Sequence, residues 1–167
     1  MDRTSLESLL RYNAYANDRV LQVAGRLTPE DFTRSASPSH DSVRQLLQHF
    51  LETEAFFLAL AQGRPWAEPP GLMTLADLER YACATAAEGQ AYLAGLSAAD
   101  LERPLTLTVR GQALNLSVWQ AFVQVVLHAT QHRGELSIIL TQLGQPLPTM
   151  DILLYFIQES GQAWPGR

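Results

Sequence analysis

Apolar side chains recur at three- and four-residue spacing through four long stretches of this chain, and each stretch ends in a break marked by glycine or proline. This pattern constrains the fold most. Residues at that spacing form one stripe along a helix, and the stripe must be buried against another element. The first stretch, residues 4–26, carries Leu6, Leu9, Leu10, Val20, Leu21 and Ala24, with Asn13 and Asn17 in the same stripe. It stops near Leu27, where Thr28-Pro29-Glu30-Asp31 has a capping-box pattern. After the break Ser35-Ala36-Ser37-Pro38, a second helix is expected from Ser39 or His40 to Gln62. Its inward stripe would be Ser42, Leu46, His49, Thr53, Phe56 and Leu60. Gly63 and a loop with Pro65, Pro69 and Pro70 close it.

Thr74 to Asp77 is another capping box, opening a third helix to about Leu96 with the stripe Leu78, Tyr81, Ala82, Thr85, Gly89, Tyr92 and Leu96. Residues 105–116 alternate apolar and polar groups around Arg110-Gly111, which reads as a short β-hairpin. Ser117 to Gln120 caps a long fourth helix reaching Leu143, and a short helix covers about Met150 to Gln158. The expected architecture is all-α. It is a four-helix bundle with a long hairpin-bearing connection between helices three and four and a short C-terminal helix, in one domain over residues 1–167.

Composition excludes some functions. The chain is 47% hydrophobic, enough to bury a core, and its net charge is −5. A mildly acidic chain without basic runs is a poor nucleic-acid binder, because that affinity comes largely from neutralising phosphates. No run of about 18 apolar residues is present to span a bilayer, and the N-terminal residues do not resemble a secretory signal. Cys83 is the single cysteine, so no intramolecular disulfide can form, which fits a reducing compartment. It lies on or near the apolar side of helix three, where a buried, inert thiol is expected. Cytoplasmic is the default location.

The strongest chemical signal is His128-Ala129-Thr130-Gln131-His132. Histidines four apart on a helix lie on one side, one turn from each other, so their rings can converge on one ion. They share a face with Ala121, Val125 and Ile139, and His49 sits at the centre of the inward stripe of helix two. Three inward imidazoles are the usual protein complement of a catalytic metal site, with one position open. Neutral imidazole suits Zn, Ni, Cu or Fe better than Mg or Ca. Glu135 reads as a residue that orients a ligand, a fourth ligand or a solvated charge, with the first preferred. Glu52 carries the same ambiguity. Asn13 and Asn17 read equally as buried spacers or as lining of a polar cavity around the metal. His40, near a helix start, reads as an ordinary surface residue, and Trp66, Trp119 and Trp164 as packing. Ala129 follows the first histidine where a zinc protease has glutamate, so that type of peptide hydrolysis is not expected. No nucleophile elbow or phosphate-binding glycine loop is present.

Tyr12-Asn13-Ala14-Tyr15-Ala16-Asn17 resembles the Tyr-Asn-x-Trp-Ala-Asn element of the DinB-like family. His49 matches that family's metal histidine in helix two, and His128-Ala129-Thr130-Gln131-His132-Arg133-Gly134-Glu135 is similar to its His-x-x-x-His-Arg-Gly-Gln/Glu signature. Leu143-Gly144-Gln145-Pro146 to Asp151, with Tyr155, is similar to the family's ending. The resemblance implies a four-helix bundle, often a homodimer, with a three-histidine site for Ni or Zn, and with Fe, Mn or Co as further options. It also implies kinship with metal-dependent S-transferases that use low-molecular-weight thiols. The expected function is therefore metal-dependent activation of such a thiol, or of water, for attack on a small electrophile. A non-catalytic metal-stapled bundle and a metal-free interaction module are the alternatives.

Overall fold

The computed structural model describes residues 1–163. Four long helices form the frame: α1 (Arg3–Ala24), α3 (Val43–Gln62), α4 (Leu75–Ala94) and α6 (Val118–Gln142). Short elements join them: α2 (Pro29–Thr33), α5 (Ala98–Leu101), the hairpin β1 (Pro104–Val109) and β2 (Gln112–Ser117), and α7 (Ile152–Glu159). Among the described residues no helix is long and apolar enough to cross a membrane.

The helix starts follow their capping chemistry. The side chains of Asp2, Thr28, Ser42, Thr74 and Ser97 each accept a backbone N–H three residues on, satisfying donors with no partner inside the helix. At Ser117 the Gln120 side chain accepts the Ser117 N–H at 2.8 Å. The hairpin is antiparallel, with Leu105 opposite Leu116 and Val109 opposite Gln112. Arg110 (φ 49°) and Gly111 (φ 79°) both lie in the left-handed region, as a two-residue turn matched to strand twist requires.

The second long helix departs from the sequence expectation. It begins at Val43, because Asp41 has φ 65° and its carbonyl accepts the N–H groups of Ala36 (2.6 Å) and Ser37 (2.8 Å). Residues 35–42 are therefore a closed loop, and His40 lies on it rather than in the helix.

Each long helix touches two others: α1 packs on α4 and α6, and α3 packs on the same pair from the opposite corner. The core has two parts. One gathers Leu6, Leu10, Leu58, Leu93 and Phe122, and the other Val20, Leu46, Leu47, Phe50, Leu136 and Leu140. The buried face of α3 runs through Val43, Leu46, Leu47, Phe50, Leu51 and Leu58, so His49, Thr53 and Phe56 lie on its half-buried flank, not at its centre. Cys83 is exposed, correcting the expectation of a buried thiol. The buried residues of α4 are Leu78, Thr85, Gly89 and Leu93, and a residue two before Thr85 points away from that line. Trp119 packs against the core and donates to Glu102 at 3.2 Å, and Trp164 lies outside the described residues.

Candidate metal centre

The α3–α6 packing carries His49 from one helix to His128 and His132 on the other. Ring centroids are 5.0 Å apart for His49–His128, 5.0 Å for His49–His132 and 4.5 Å for His128–His132. One nitrogen from each ring lies within 4.8 Å of the other two, and among the described residues these three side chains are grouped closely enough to share an ion. His132 is 6% exposed, while His49 and His128 are half-buried at the helix seam.

The donor set fits a transition metal. His128 Nε2 and His132 Nε2 are 3.2 Å apart. Two nitrogens about 2.0–2.1 Å from one tetrahedral ion would lie about 3.3 Å from each other. Their Nδ1 atoms are buried and have no hydrogen-bond partner. Burial pushes His49 and His128 down to about 4, helped by the neighbouring imidazoles. Burial lowers His132 too, against the opposing effect of Glu135. All three rings are therefore neutral near pH 7, the form that binds a metal.

Glu135 lies 3.8 Å from His132 Nδ1, too long for a hydrogen bond. It anchors the 35–42 loop instead. One oxygen accepts from Ser37 Oγ (2.5 Å) and the Ser39 N–H (3.3 Å), and the other accepts from Ser39 Oγ (2.7 Å). Burial opposes ionisation of Glu135, but these bonds outweigh it and hold the carboxyl below its ordinary range.

His40 is not an ordinary surface residue. Its ring stacks on His49 with centroids 4.0 Å apart and meets His132 edge-on at 5.2 Å. Ser39 Oγ, whose proton goes to Glu135, lies 2.7 Å from His40 Nδ1. That bond therefore requires Nδ1–H on His40, which leaves Nε2 as a lone pair. The local sequence carries little sign of this, because the approach depends on a loop pinned by a residue 95 positions away (135 − 40).

Asn13 and Asn17 serve a different centre. Their amide nitrogens both donate to Glu54 Oε2 at 3.1 Å, and their oxygens accept from Arg133 Nη1 at 2.7 and 2.5 Å. Arg133 Nη2 donates to Thr130 Oγ1 at 2.8 Å. The guanidinium and the carboxylate are thus bridged by two amides in the space between the two apolar clusters, tying α1 to α3 and α6. Burial pushes Glu54 up to about 7, against the pull of Arg133. Arg133, the residue after His132, links the asparagines to the helix that carries two of the imidazoles. Glu54 was not singled out from sequence. An acidic residue on a half-buried flank looks solvated until its partners are known.

The three imidazoles lead to an expected pH response of the metal-free protein. A histidine whose folded pKa is depressed below its unfolded value of 6.5 leaves the unfolded chain binding more protons as pH falls. Glu54, pushed up, works in the opposite sense but with a single proton. Chelated protein is therefore expected to lose melting temperature steadily from pH 6.5 to 4.5, and the slope should flatten in a His49→Ala/His128→Ala variant. Equal slopes in the two proteins would refute the reading.

The model of the DinB family matches residues 1–162 of the chain. The chain is also similar to a solved DinB-like protein from Bacillus subtilis, at 17% identity and TM-score 0.65, covering 86% of this chain and 97% of that one. A DinB-like protein from Bacillus cereus gives 16% identity and TM-score 0.62, covering 84% and 94%. No curated protein matches.

Proposed function

The chain belongs to the DinB family, and we propose that it is a metal-dependent enzyme that activates a low-molecular-weight thiol or a water molecule for attack on a small electrophile. The observation that carries this reading is the convergence of His49, His128 and His132 as neutral rings. These residues would hold a divalent ion, with Ni or Zn favoured by an all-imidazole donor set. Such an ion lowers the pKa of a coordinated thiol or water toward neutrality. A structural zinc site normally closes with four protein ligands, whereas three leave a position for the reacting molecule.

His40 supplies the proton acceptor. Ser39, itself bound to Glu135, holds its Nδ1–H, which leaves the Nε2 lone pair to take a proton from the incoming thiol or water. An imidazole held in one tautomer beside the ligands serves that role without having to reorient.

Elemental analysis of protein purified without an affinity tag, followed by titration of chelated protein with Ni, Zn and Co ions, tests the site. Saturation at one ion per chain is expected, together with metal-dependent consumption of a thiol in the presence of a small electrophile. His40→Ala is expected to keep the ion while lowering turnover about a hundredfold. Absence of uptake for all three ions would overturn the proposal. An ion bound without any thiol- or water-dependent turnover would leave only its metal-binding half.

A further inference from the structure

Beside His49 a cleft of about 200 Å³ opens, lined by His49, Glu52, Thr53, Phe56 and Trp66. Phe56 and Trp66 meet at 89° with ring centroids 5.7 Å apart, forming an aromatic corner. Glu52 is fixed at one oxygen only. Gln48 Nε2 donates to its Oε1 at 2.7 Å, and Gln48 is itself clamped to the loop through the Gly71 carbonyl (2.9 Å) and the Met73 N–H (2.8 Å). Among the described residues no cation pairs with Glu52. The nearby Arg64 is engaged by Glu88 at 2.8 Å and by Gln62. Thr53 donates its proton to the His49 carbonyl at 2.9 Å, so toward the cleft its oxygen can only accept. The one donor in the lining besides the imidazole is the Trp66 indole N–H, which is enclosed and turned toward the Tyr81 hydroxyl rather than the cleft.

The cleft thus combines a held carboxylate lacking a counter-ion, two π faces and a hydroxyl acceptor. Carboxylate and ring quadrupole both attract positive charge, and neither suits an anion. We propose that this cleft binds the cationic end, an ammonium nitrogen, of the small molecule whose other end reaches the three histidines. As a substrate subsite the inference rests on the function proposed above. The recognition itself needs no metal, because none of the groups that read the charge is a ligand.

The test uses full-length, chelated protein and two probes of nearly equal shape: choline, and 3,3-dimethylbutan-1-ol, in which a carbon replaces the charged nitrogen. Calorimetric or Trp-fluorescence titration is expected to show at least tenfold tighter binding of choline. Glu52→Gln should shrink the choline preference several-fold, leaving the part owed to the rings, and Trp66→Leu should weaken choline binding at least tenfold while leaving the metal titration unchanged. Equal affinities in the unmodified protein, failure of choline to bind, or a choline preference undiminished by Glu52→Gln would each overturn the subsite. Because metal uptake is read separately, loss of the subsite and loss of the metal centre are distinguishable. Circular dichroism confirms that each variant is folded.

Discussion

Replacing Arg133 with methionine is expected to destabilise the fold by about 3–5 kcal/mol, measured by denaturant unfolding at pH 8. Arg133 is 3% exposed and donates to Asn13, Asn17 and Thr130, while the two asparagines in turn donate to Glu54. Methionine fills much of the same volume but leaves two amide oxygens unpaired and a partly buried carboxylate without its compensating charge. An unpaired buried acceptor and an uncompensated buried charge are the two costs that make breaking such a network expensive. The loss should depend on pH in a defined direction. Glu54 is pushed up to about 7, above its unfolded value of 4.5, so the folded state favours its protonated form. That contribution is complete below about pH 4.5 and is lost as pH rises through about 7. Without the guanidinium the preference for the protonated form strengthens, so Arg133→Met should be distinctly less harmful at pH 5 than at pH 8. Adding Glu54→Gln should recover part of the loss at pH 8. Strict additivity of the two substitutions would show that the bridged pair does not act as a unit.

His128→Ala should have the opposite profile, with metal affinity falling by a few hundredfold and little change in metal-free stability. Apparent folding energies of four-ligand zinc sites are about 10–16 kcal/mol, so one ligand is worth roughly 3–4 kcal/mol, which is between two and three powers of ten. The ring is half-buried, its Nδ1 has no hydrogen-bond partner, and removing it gives up only the Nε2 contact with His132 at 3.2 Å. Removing it also relieves the unfolded chain's advantage in binding protons below pH 6.5. Competition with a chromogenic chelator gives the affinity, and melting of chelated protein gives the stability. An unchanged affinity would exclude His128 as a ligand. The contrast with His40→Ala, expected to retain the ion, separates holding the metal from handling the proton.

The long helices and their stops were legible because caps, breaks and apolar spacing act locally. Asp77 caps α4 through Thr74, and Gly63 ends α3 with φ 69°, whatever the rest of the chain does. His128 and His132 were legible for the same reason, since a four-residue spacing on one helix places both rings on one side. His49 needed only a second helix packed against the first, and the resemblance named it. The sequence did not reveal which flank of α3 carries it. A stripe of six residues predicts a face, whereas packing against both α4 and α6 selects which part of that face is buried.

What the amino-acid order determined alone was the set of helices, the hairpin and the paired imidazoles of α6, all governed by neighbours within a few residues. Tertiary structure decided the placement of His40, the use of Glu135 as an anchor for its loop, and the joining of Asn13 and Asn17 to Glu54 and Arg133. Each of those contacts links residues from different helices or loops. The physical reason is that a side chain's hydrogen-bonding capacity is fixed by its type, but its partner is fixed by which segments the burial of apolar surface brings within about 3 Å.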